Sequence, residues 1–234
     1  MPRAFVVTVA AVLLAGGLAT APARAGQGLG IIPTRLSFGQ GQVAGAITIT
    51  NNDVAPALME VHVFAWTRAA RQDILEPTSE LLASPPIFRV APGASQVIRV
   101  GLRAPIVSDQ ERTFRVFVHQ IVAAHAGVGF SSQFSLPVFV APVRAAPRAL
   151  TWSIGRDAKG RGKLIVANGG DRHEEFATIS VSQNGKVLLT DSLSEYLMPQ
   201  QQLDLALPPG TALDAPLVVD ATTDAAPVHA VVTP

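Results

Sequence analysis

Residues 128–140 read VGFSSQFSLPVFV. The even-numbered positions are Val128, Phe130, Ser132, Phe134, Leu136, Val138 and Val140; the odd-numbered ones include Gly129, Ser131, Gln133, Ser135 and Pro137. Side chains alternate across a strand, so the stretch predicts a β-strand with one apolar face and one face of small or polar groups. Typical strands run to about five or six residues, and this alternation is longer. Such a strand either bends between two sheets or offers its surplus apolar face to a partner. Pro137 cannot donate to a ladder and belongs at an edge or a bulge.

Working outward, residues 113–122 (TFRVFVHQIV) form the strand before it, across a short Ala/Gly-rich loop. Earlier strands are predicted at 46–50, closed by the turn Asn51-Asn52-Asp53, and at 57–67, with Leu58, Val63 and Trp66 as core candidates. Residues 68–82 are polar and mixed and read as a loop. Residues 87–90 and 96–102 read as a hairpin through Ala91-Pro92-Gly93-Ala94, where Pro presets φ and Gly supplies a positive one. The chain opens with GLGIIPTRLSF, in which Pro33 suggests an edge or a switch between sheets, and Arg35 is an unusual guanidinium in an apolar run. About seven strands before residue 140 match the count of an immunoglobulin-like sandwich.

Pro142 and Pro147 stiffen the short connection APVRAAP. Residues 26–142 are thus expected to form one domain, 143–147 a linker and 148–234 a second, smaller sandwich. Its predicted strands are 150–154, 163–167, 176–182, 186–190, 202–206 and 217–220, with Asn184-Gly185 as a two-residue hairpin turn. The fold class is all-β.

Residues 1–25 read as a secretory signal peptide: Arg3, an apolar run over 5–18, then Ala23-Arg24-Ala25 as a cleavage site. No later segment is apolar enough to span a bilayer, so a soluble exported protein is expected. The chain has 234 residues and a net charge of +1; cleavage removes Arg3 and Arg24 and no acid, leaving 16 basic against 17 acidic residues, or −1. That balance gives nucleic acid no basic patch. Cysteine is absent, so each sandwich must hold by its core alone.

An enzyme is not expected. His62, His119, His125, His173 and His229 are scattered without metal-ligand spacing. His173-Glu174-Glu175 fails the H-E-x-x-H zinc pattern because Ala177 stands at the second histidine, and it reads as a solvated loop. Gly93-Ala94-Ser95 lacks a nucleophile elbow, and no glycine-rich loop precedes a helix. No metal, cofactor or small-molecule substrate is expected.

In order along the chain, PTRLSF, ITITNND, SPPIFRVAPGASQVIRV, TFRVFVHQI and FSLPVFVAP resemble the periplasmic chaperones of the chaperone-usher pilus pathway. LIVANGGDRHEEFATISV and EYLMPQQQLDLALPPG resemble their C-terminal domain, so the likeness spans nearly the whole mature chain. The PP-hydrophobic-x-R-x-x-PG segment is its most specific part, and the FSLPVF form is most similar to the archaic branch with spore-coat-U-like subunits. The resemblance implies two immunoglobulin-like domains set at an angle, pilus subunits and an outer-membrane usher as partners, a periplasmic location, and donor-strand complementation. Val128, Phe130, Ser132, Phe134 and Leu136 would then form the donor face. The alternative is that they line the protein's own core, in an exported adhesive or structural module.

The resemblance also implies a cleft in which an arginine of the first strand and a lysine late in the donor strand hold the subunit's C-terminal carboxylate. Arg35 matches the first; Pro137 stands where the lysine is expected. Because the strand before the donor strand runs antiparallel to it, Arg115 is the candidate replacement, ahead of Arg99 and Arg103.

Overall fold

The computed structural model describes residues 28–69, 71–122, 131–144 and 147–234. The signal-peptide reading, Val128, Phe130 and His125 lie outside these residues.

Ten strand segments build the first sandwich: β1 (Leu29–Ile32), β2 (Leu36–Phe38), β3 (Ala44–Asn51), β4 (Ala57–Ala69), β5 (Gln72–Pro77), β6 (Leu81–Ser84), β7 (Ile87–Val90), β8 (Ser95–Leu102), β9 (Arg112–Ile121) and β10 (Gln133–Val140). One sheet has the order β1-β3-β8-β6; the other is β2-β10-β9-β4-β5, with β7 also on β4. The chain changes sheet between β1 and β2, at Pro33. Alternate residues of the two inner faces meet in a core that includes Phe38, Ile47, Ile49, Met59, Ile98, Phe114, Val116 and Val138. Burying each such side chain stabilises by about 1.5–3 kcal/mol, which is how the sandwich stands without disulfides.

The second sandwich packs β11 (Leu150–Arg156), β12 (Gly162–Asn168) and β15 (Gln202–Ala206) against β13 (Glu174–Gln183), β14 (Lys186–Leu197), β16 (Leu217–Thr223) and β17 (Val228–Val232). Its core includes Leu164, Phe176, Ile179, Val181, Leu217 and Val219. The architecture is all-β, two immunoglobulin-like sandwiches. Both use one turn device: a fully buried asparagine at a strand end. Asn51 donates to the carbonyls of Ala55 and Val90 and accepts from Asp53 N; Asn168 donates to those of Arg172 and Leu197 and accepts from Gly170 N.

Several local expectations are corrected. Residues 68–82 hold the end of β4, all of β5 and the start of β6; β5 is exposed along its whole length, so an edge strand shows no alternation to read. Gly93 has the expected positive φ of 70°, but β7 and β8 do not pair with each other. The turn carries the chain from one sheet to the other, a choice that turn residues alone do not encode. Leu58 lies on the outward side of β4, whose buried core residues are Ala57, Met59 and Val61. In the second sandwich β14 continues to Leu197 and β17 is additional, while Asn184-Gly185 forms the expected turn with φ of 50° and 77°.

Candidate functional site

β10 lies antiparallel to β9 from Gln133 opposite His119 to Val140 opposite Arg112. On its other side β2 pairs in parallel, but only over Val138–Val140. Among the described residues, the first five of β10 therefore have a ladder on one side and an open edge on the other. The Gln120 N–H donates to Ser132 C=O at 2.8 Å. Hydrogen-bonded and non-bonded pairs alternate in an antiparallel ladder, so the backbone groups of Gln133, Ser135 and Pro137 face away from β9. Pro137 lacks an N–H at a position where neither β9 nor β2 asks for one.

The apolar face of β10 divides along its length. Leu136, Val138 and Val140 are buried in the protein's own core; Phe134 is only half-buried at its margin. Ser132 precedes β10. On the opposite face Gln133 and Ser135 are exposed, and Phe139, 2% exposed, belongs to a third apolar cluster.

That cluster joins the sandwiches. Trp66 and Phe139 of the first meet Met198 and Tyr196 of the second. The Trp66 and Tyr196 rings meet edge to face with centroids 5.1 Å apart, and His173 stacks on Phe139 at 3.7 Å. His173 also pairs through Nδ1 with Glu111 Oε2 at 2.5 Å. Arg68 bridges to Glu195 and donates to Tyr196 C=O at 3.0 Å. His173-Glu174-Glu175 is thus no solvated loop: the His173 side chain is 9% exposed, Glu174 is buried against Arg148, and Glu175 faces Arg35.

The two basic candidates both reach this junction. Arg35, between β1 and β2, donates from Nη1 to Glu175 Oε2 at 3.2 Å and Asp224 Oδ2 at 3.3 Å, with its side chain 45% exposed. It borders a pocket of about 270 Å³ shared with Glu111, Phe139, His173 and Asp224. Arg115, opposite Pro137, stacks its guanidinium 3.7 Å over Trp66 and 5.6 Å from Tyr196, with Asp73 3.6 Å from Nη2. Burial holds it below the usual arginine value, while Asp73 works in the opposite direction. Burial, and then the Glu175 carboxylate, push Tyr196 up to about 12. Among the described residues, the buried side-chain polar atoms without a hydrogen-bond partner are Trp66 Nε1, Arg115 Nε and His173 Nε2, the last 3.8 Å from Asp224 Oδ2. All three belong to the junction.

Arg99 and Arg103 do not reach it. Arg99 is exposed on β8, in the other sheet, and Arg103 is tied to Ser79 C=O at 2.9 Å. Sequence reasoning missed Tyr196, Glu175, Asp224 and the His173–Glu111 pair. One signal was present: Phe139 is a large apolar residue on the otherwise small and polar side of β10.

The N-terminal domain of PapD, in the pili and flagellar-assembly chaperones, matches residues 28–146, just over half of the chain. The chain belongs to this chaperone family. No curated protein matches the chaperone by sequence. Solved structures match it closely in fold. The archaic CsuC–CsuE chaperone–tip adhesion subunit pre-assembly complex of Acinetobacter baumannii gives 18% identity and a TM-score of 0.67, over 88% of this chain and 98% of the other. The Salmonella enterica SafA pilin–SafB chaperone complex gives 20% and 0.62, over 87% and 95%. The E. coli chaperone DraB gives 19% and 0.61, over 86% and 97%. The chaperone's two-sandwich architecture is therefore that of pilus-assembly chaperones.

Proposed function

We propose that the chaperone, exported to the periplasm after cleavage of residues 1–25, captures pilus subunits by donor-strand complementation and passes them to an outer-membrane usher. The observation that carries this reading is the half-covered edge of β10. Over Gln133–Pro137 its outward backbone groups have no strand partner among the described residues, beside the half-buried Phe134. A subunit missing its last strand has the complementary need: backbone to pair and an apolar groove to fill. The relatives crystallised with a pilin or a tip subunit support it, and the archaic CsuC–CsuE match supports assignment to that branch.

Arg35 and Arg115 would hold the subunit's C-terminal carboxylate. Arg115 brings a buried guanidinium with an orphaned Nε, which a carboxylate would satisfy; leaving such a donor unmade costs about 1–3 kcal/mol. Arg35 brings an exposed guanidinium at the mouth of the junction pocket. The mechanism is cofactor-free binding, with no bond made or broken.

Co-expression with the cognate subunit tests this. Wild type is expected to yield a stoichiometric complex and protect the subunit from degradation. Arg35→Ala and Arg115→Ala should each weaken capture by roughly tenfold or more, the scale of a lost charge-assisted contact. No complex with wild type would end the proposal; full capture by both variants would end the carboxylate anchor alone.

A further inference from the structure

One cluster of ionisable side chains takes no part in the junction or the open edge. Glu60 and His62 are two residues apart on β4, which puts both on the outward face of its sheet. The β4–β9 register sets His119 directly opposite Glu60. His62 Nε2 lies 3.2 Å from Glu60 Oε1, and His119 Nε2 lies 3.1 Å from Glu60 Oε2. The two imidazoles stack with centroids 5.3 Å apart and planes within 5° of parallel. One ligand atom from each residue lies within 4.8 Å of the other two.

We propose that Glu60, His62 and His119 bind a divalent transition ion of the zinc class, with a fourth coordination position open to solvent. Two imidazoles and a carboxylate suit Zn²⁺, Cu²⁺ or Ni²⁺ and offer too few oxygens for Mg²⁺ or Ca²⁺. Metal–ligand bonds of about 2.0–2.2 Å in a tetrahedron place neighbouring ligand atoms about 3.3 Å apart. His62 Nε2 stands near that edge length from Glu60 Oε1 and His119 Nε2 from Glu60 Oε2, so rotation of the glutamate side chain brings one oxygen and both imidazoles onto a single ion. Both rings also turn the same nitrogen, Nε2, toward one carboxylate; His229, by contrast, pairs through Nδ1 with the single carboxylate of Asp220.

The frame is rigid. β4 and β9 are internal strands, and the inward residues flanking the ligands, Met59, Val61 and Val118, are buried in the core. The side chains of Glu60, His62 and His119 are 30%, 46% and 32% exposed, so an ion enters without moving the backbone. Sequence spacing hides the site, because one of its three ligands comes from another strand.

The test is titration calorimetry of the untagged mature protein with ZnCl₂ and, separately, MgCl₂. One Zn²⁺ per chain and no Mg²⁺ uptake are expected. His62→Ala and His119→Ala should each weaken Zn²⁺ binding at least tenfold, with apo melting temperatures close to wild type. Zn²⁺ should raise the melting temperature of wild type only. No Zn²⁺ binding by wild type, binding unchanged in both variants, or equal uptake of Mg²⁺ would each overturn the proposal. Imidazole ¹⁵N chemical shifts of the unsubstituted protein give a readout independent of variant folding. Zn²⁺-induced shifts at His62 and His119 support the site; shifts confined to other histidines overturn it.

Discussion

Glu175 would govern how available Arg35 is to the proposed carboxylate ligand. Its carboxylate, with that of Asp224, already occupies the guanidinium that an incoming carboxylate would need. Pairs this exposed contribute about 0–1 kcal/mol, so exchange for a subunit terminus is cheap but not free. Glu175→Gln should raise subunit affinity about two- to fivefold, a gain that competition binding can resolve; a drop would mean that Glu175 supports the cleft instead. The neighbouring Tyr196 makes a pH prediction. Its pKa rises from 10.0 to about 12 on folding, so the folded state favours the neutral phenol. That contribution is complete below pH 10 and is lost as pH climbs to about 12. Tyr196→Phe keeps the ring against Trp66 and should flatten the alkaline fall in urea-unfolding stability; an unchanged profile would place the titration elsewhere. Of these residues only Arg35 was legible in sequence, as a charge inside an apolar run. Glu175 and His173 gain meaning from partners far along the chain, such as Glu111, 62 positions from His173.

At the scale of elements, the proposed function has β10 serve two structures along one strand. Leu136 fills the protein's own core, so Leu136→Ala should cost about 2–5 kcal/mol in chemical denaturation whether or not subunits are present. Ser135 presents its backbone to the open edge. Ser135→Pro removes one outward N–H, as Pro137 already does, without touching a β9 hydrogen bond. It should leave the melting temperature within a few degrees of wild type and cripple subunit capture, both read from one purified preparation. If capture survives, the ladder extends along another edge. Alternation made β3, β4, β8, β9 and β10 legible, because along most of their length one face is buried and the other is not, although both faces of β10 are buried from Leu136 onward. β5 was not, since an exposed edge strand buries neither face. Nor was the crossing between β7 and β8, because Pro92 and Gly93 specify a bend and not the partner beyond it. The division of β10 was equally hidden: alternation marks a face, while the length of β2 decides how much of the edge stays open.

Across the whole molecule, the sandwiches meet through a small apolar cluster ringed by charge. Trp66 is 3% exposed at its centre, and Arg68 and Glu195 lie beside it with side chains only 12% and 11% exposed. Trp66→Ala should remove about 3–5 kcal/mol, drawn from the junction and not from either core. Scanning calorimetry should then resolve two transitions where wild type gives one; a single transition shifted downward would mean that the sandwiches do not unfold independently. The absence of cysteine fits this picture of self-sufficient cores, each filled by alternating strand faces.

β2 meets β10 only from Val138 onward. A strand laid along the free half therefore runs into an end stop made of backbone. Slipping by one residue would turn every side chain of that strand to the wrong face, and the stop forbids sliding in one direction whatever the sequence of the newcomer. In the proposed capture the three-residue β2 would thus set a common reading frame, in which guests of unrelated sequence are seated at the same position.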